Sequence, residues 1–104
     1  MKVAITSTGN SFDSIIDERF GRASWFVIHD IESKSTEFIS NPNKDAEQGA
    51  GPASVELVAS RKVSKIVSGE FGVKIKPILD SLKIQMIVIK EPKTINEIIS
   101  MLNH

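Results

Sequence analysis

The chain has 104 residues, 40% hydrophobic and 25% charged, which suits one soluble domain with a single core and leaves no room for a second. Thirteen Lys and Arg balance thirteen Asp and Glu, so no overall field directs the protein to nucleic acid or to an anionic membrane. The absence of cysteine excludes disulfides, thiolate nucleophiles and thiolate metal sites, and fits a reducing compartment.

Met1 to Ser7 is a short apolar run with a single lysine, too brief for a secretion signal. No apolar run approaches a membrane span, and the expectation is a cytoplasmic protein. Lys2 to Thr6 reads as a strand with Val3 and Ile5 on one face and Ala4 on the other, ended by Thr8-Gly9-Asn10. Trp25 to Ile31 and Thr36 to Ser40 read as an antiparallel pair, because the polar Glu32-Ser33-Lys34-Ser35 between them is short enough for a hairpin. A polar loop then leads to Gly51, and Pro52 is expected to open a helix that turns Ala53, Leu57 and Val58 inward.

The second half alternates. Lys65 to Ser68 and Gln85 to Ile89 are nearly continuous apolar runs, as expected of parallel strands covered on both faces. Between them Ile75, Ile78, Leu79 and Leu82 follow helical spacing, with Pro77 forcing the regular helix to start near Lys74 to Lys76. Thr94 and Glu97 form a capping box ahead of an Ile95, Ile98, Ile99 and Leu102 stripe. The order β-β-β-α-β-α-β-α, with right-handed crossovers, predicts an α/β fold: a mixed sheet whose first, third, fourth and fifth strands run together. Thr6 to Asn10, Arg19 to Arg22, Asn41 to Gly51 and Gly69 to Gly72 then gather at the carboxyl end of the parallel strands, where open α/β sheets place ligands.

Asp17 to Ala23 before Trp25-Phe26, Asn41, Gly49-Ala50-Gly51, Gly69 with Gly72 and the terminal β-α unit, taken in order, resemble the nitrogenase iron-molybdenum cofactor biosynthesis family. The similarity is to the NifX type, also found as the C-terminal domain of NifB and as small stand-alone proteins. It implies a three-layer ribonuclease H-like fold with a mixed five-stranded sheet, and a single cofactor-binding domain over residues 1–104. It also implies a non-enzymatic carrier of an iron-sulfur or iron-molybdenum cluster or its precursor. Cofactor-binding candidates are Arg19, Phe20, Gly21, Arg22, Asn41, Gly49, Ala50, Gly51, Gly69 and Gly72. Nitrogen-fixation members commonly carry histidine before the Phe-Gly pair; here Arg19 stands there, and a guanidinium is not an ordinary metal ligand. No metal ligand is therefore assigned, and a cluster would be held transiently, through its negative charge.

Each candidate has a structural alternative. Arg19 and Arg22 could pair with Asp17 and Glu18, and the glycines could serve only tight turns and close packing. His29 and the Trp25-Phe26 pair read as sheet-packing residues, and His104 as a disordered terminus. Two other functions fit the same outline. One is an interaction or regulatory module serving cluster-assembly proteins or a P-loop ATPase. The other is a nuclease or phosphoesterase, which the first strand disfavours because it carries no carboxylate for divalent metals.

Overall fold

Strand β1 (Lys2–Ser7) is buried from Val3 to Ser7, so both of its faces must be covered. Val3 and Ile5 enter one core and Ala4 the other, as the alternation requires. The computed structural model describes residues 1–103; His104, where disorder is expected, lies outside the described residues. Strands β2 (Trp25–Asp30), β3 (Thr36–Ser40), β4 (Val63–Ser68) and β5 (Gln85–Val88) complete a five-stranded sheet in the order β3-β2-β1-β4-β5. The β2–β3 hairpin is antiparallel, with Trp25 opposite Ser40, while β1–β4 and β4–β5 are parallel. All strands but β2 therefore share one direction, and their carboxyl ends lie together.

Helices α1 (Ala50–Ala59) and α2 (Lys76–Ser81) cover one face, where Val55, Val58, Ile75 and Leu79 pack on Ala4, Phe26, Ile28 and Ile66. Helix α3 (Ile95–Leu102) covers the other, with Ile95, Ile98 and Ile99 on Val3, Ile5, Val27 and Val67. This is the expected three-layer, ribonuclease H-like arrangement. No helix of the described residues is long and apolar enough to cross a membrane.

Four details differ from the sequence reading. Helix α1 starts at Ala50, two residues before Pro52, because Gly49 takes φ +74° and turns the chain into the first helical turn. Ser54, Val55 and Val58 are its buried residues past Ala50, whereas Ala53 and Leu57 are only half-buried. Strand β5 is an edge: Gln85 and Val88 are exposed, so of β4 and β5 only β4 is largely buried. Leu82 lies beyond α2 and is exposed.

Candidate functional site

The site begins where β1 and β4 part. Their pairing runs to Ile5 and Val67, and beyond it Asp17 is inserted: its N–H donates to Thr6 O (3.1 Å) and its carbonyl accepts from Gly69 N (3.2 Å). The buried Thr6 hydroxyl donates to the same carbonyl at 2.8 Å. Bridges from Ser7 to Ile16 and from Arg19 to Glu70 hold the segment on both sides. Glycine is required at position 69, since a Cβ there would meet the Glu18 backbone at 2.6 Å. Phe20 is buried against Phe26 and Phe71, with ring centroids 5.4 and 5.9 Å apart, which fixes Arg19 and Gly21 on either side of it. Gly21 in turn lies against α1, where a Cβ would come within 2.9 Å of Gly51 Cα.

The opposite wall is tied down by Asn41. Buried at the end of β3, its Nδ2 donates to Ala23 O (2.9 Å) and Gly21 O (3.2 Å), and its Oδ1 accepts from Asn43 N (3.1 Å). The Ser54 hydroxyl of α1 donates a second bond to Gly21 O, at 3.0 Å. The Arg22 Nη1 donates to the carbonyls of Lys44 (3.0 Å) and Ala46 (2.6 Å) in the loop that leads to α1. The first turn of α1 has no side-chain cap, and Pro52 contributes no N–H to it.

Between these walls and the Gly72–Ile75 turn lies an open cleft of about 840 Å³. Arg19, Phe20, Gly21, Arg22, Gly49, Ala50, Gly51 and Gly72 all line it. Asn41 and Gly69 do not: they are buried in the frame that shapes it. Glu47, Gln48, Pro52, Glu70, Val73, Lys74 and Ile75 also line it; none is among the sequence candidates, although Glu47, Gln48 and Glu70 lie in the segments expected at this end. Several of these stand beside the chosen glycines, so the signal lay in the neighbouring side chains.

Neither arginine pairs with Asp17 or Glu18 among the described residues. Arg22 is engaged by carbonyls, while the exposed Arg19 guanidinium has no carboxylate within ion-pair distance there, although Glu70 is its backbone neighbour. The cleft thus joins Arg19, Arg22 and Lys74 to an open helix start, with Glu47 and Glu70 as counterweights. Among the described residues no group of three or more His, Cys, Asp or Glu is placed to hold a metal ion. His29 is buried far along β2, its Nδ1 2.9 Å from Thr36 Oγ1 and its Nε2 3.1 Å from Asn103 Oδ1.

Solved structures of the same fold include the apo orange protein from Desulfovibrio gigas, 25% identical, with a TM-score of 0.90 over 97% of this chain and 85% of that one. A candidate NifB protein of the DUF35 family from Thermotoga is 31% identical, with a TM-score of 0.83 and coverage of 97% and 85%. A candidate dinitrogenase from Methanocaldococcus jannaschii, 22% identical with a TM-score of 0.69 over 98% and 86%, shares the fold. A comparison with curated proteins gives no match. The family described as dinitrogenase iron-molybdenum cofactor matches residues 1–104, and the chain belongs to that family.

Proposed function

We propose that this protein is a non-enzymatic carrier that binds a small anionic metallocluster, of the iron-sulfur or iron-molybdenum type, or its precursor, in the cleft beside Arg19. The observation that carries this reading is the Arg19 guanidinium, exposed and without an acidic partner among the described residues, lining the same cleft as the uncapped start of α1. Both favour negative charge, and family membership supplies the class of ligand. A cysteine-free chain offers such a cluster no thiolate, so the contacts are hydrogen bonds and charge at the cluster's outer atoms. Binding of that kind is readily reversed, as a carrier that must release its load requires. Residues 1–104 are read as one cofactor-binding domain acting in the cytoplasm.

The test is an anaerobic titration with an iron-sulfur or iron-molybdenum cluster donor, followed by calorimetry and NMR shifts. Arg19→Ala should weaken binding about tenfold, the value of one charge-assisted hydrogen bond. Affinity should also fall as salt rises. Equal affinity in wild type and variant would sink the site.

One observation favours a second reading. Val73, on the rim, is 79% exposed, an apolar side chain suited to protein contact. In that reading the rim docks on a cluster-assembly protein such as a P-loop ATPase, and Val73→Ser, which adds no charge to the cleft, would weaken the complex while leaving cluster binding intact.

A further inference from the structure

Arg22 is on the wrong bonds for a simple anion ligand. A guanidinium carries five N–H donors, and the Nη1 pair is already committed to the Lys44 and Ala46 carbonyls, at 3.0 and 2.6 Å. Those carbonyls belong to residues 42–48, which are polar and almost wholly outside regular structure. Apart from Arg22, the loop is held near its start, by Asn43 N on Asn41 Oδ1, by Lys44 N on Asn41 O and Ala46 N on Asn43 O, and by a long Lys44 Nζ contact to Ser24 Oγ at 3.4 Å. Its far end supplies Glu47 and Gln48 to the cleft and delivers Gly49 into the start of α1. Arg22 also lines the cleft.

We propose that Arg22 is a positioning residue that couples occupancy of the cleft to order in residues 42–48. Its Nη1 straps the loop, leaving Nε and Nη2 as charged donors for an anion. An anion held on those donors restricts the same planar group that grips the two carbonyls. The loop wall therefore tightens when the cleft fills, and the mouth of α1 is held in place by the ligand it admits. Arg19 has no such tie and acts on the ligand alone. A lysine at position 22 would keep the charge but lose the rigid fork, so charge and strap can be separated. This inference rests on the reading of the cleft as an anion site.

The experiment measures cleavage of the full chain at Glu47 by a glutamate-specific protease, with cleavage at Glu56 inside α1 as the reference for global unfolding. Inorganic phosphate is the anion probe, and NMR shifts of the Arg19, Ala50 and Gly51 amides report whether it enters the cleft. Without phosphate, Arg22→Ala should raise the Glu47 rate about tenfold over the Glu56 reference, Arg22→Lys should raise it less, and Arg19→Ala should leave it unchanged. Phosphate should slow cleavage at Glu47 in wild type, act only at higher concentration in Arg19→Ala, and lose its effect in Arg22→Ala. An unchanged Glu47 rate in Arg22→Ala overturns the strap. Phosphate that shifts the cleft amides yet leaves wild-type cleavage unaltered overturns the coupling. Phosphate that shifts none of those amides overturns the anion-site reading and the coupling together, while the baseline rate still decides the strap.

Discussion

Helices α1 and α3 both begin at the carboxyl end of the sheet, on opposite faces, and their first turns are treated in opposite ways. In α3 the Ile95 and Asn96 N–H groups donate to the carbonyls of Ser14 and Phe12, each at 2.9 Å. Glu97 N donates to the Thr94 hydroxyl, and the Glu97 carboxylate accepts from Thr94 N in return. In α1 the chain enters through a left-handed glycine, no side chain caps the turn, and the first helical bond is Ala53 N to Gly49 O. The fold can close a helix start completely, so the open one confines the pull on anions to a single face. The closed end relies on side-chain and carbonyl caps. The open end is shaped by backbone lying on backbone, at Gly21 against Gly51 and Gly69 against Glu18.

That contrast can be broken most severely at Gly69. A Cβ placed 2.6 Å from the Glu18 backbone has no flexible side chain to displace, so Gly69→Ala should cost about 3 kcal/mol in urea unfolding and shift the Arg19 to Gly21 amides. Thr94→Ala should cost about 1 kcal/mol by the same measurement and leave those amides where they are. A disturbed cleft in the Thr94 variant would show that the two helix starts are not independent.

Acid sharpens the closed side further. Hydrogen bonds from the Thr94 N–H and then from its hydroxyl hold the Glu97 carboxyl below the usual glutamate range. Its contribution is complete above the unfolded-state value and is lost as pH falls through the lower folded value. The stability difference between wild type and Glu97→Gln should therefore narrow on acidification, with the open helix start contributing nothing to the change. The smallest effect is expected at Gly72, where an added Cβ meets nothing within 4 Å and the backbone is not left-handed. Gly72→Ala should alter stability by less than about 0.5 kcal/mol. Any loss of anion binding in that variant is then a loss of contact at the cleft, read by titration.

What the sequence revealed divides along the same line. The α3 box was legible because Thr94 and Glu97 are three residues apart and satisfy one another locally. The alternation in β1, the β2–β3 hairpin and the common direction of the other strands were legible from period and loop length. Strand β5 reads as covered on both faces because edge or centre is decided by strand order, which its own residues do not encode. The start of α1 was displaced toward Pro52 because the left-handed Gly49 turn leaves no unique sequence mark. Glycine spacing pointed to the end of the sheet where the cleft lies, but it could not separate Gly51, which lines the cleft, from Gly69, which packs beneath it. Nor could it show that Arg22 reaches carbonyls of Lys44 and Ala46, since no side-chain pattern announces a backbone partner so far along the chain.

The insertion of Asp17 between β1 and β4 gives part of an apparent loop the environment of a strand. Its amide and that of Gly69 are bonded in line with the sheet, so hydrogen exchange at both should be as slow as in the central strands. Arg19 follows two residues later, with its own N–H on the Asp17 carboxylate at 3.1 Å. Its backbone is thus immobilised during folding, and the entropy of fixing it is spent before any ligand arrives. Only the guanidinium stem remains to be ordered on binding. In the proposed role, an anion would meet a charge mounted on backbone that is bonded into the end of the sheet.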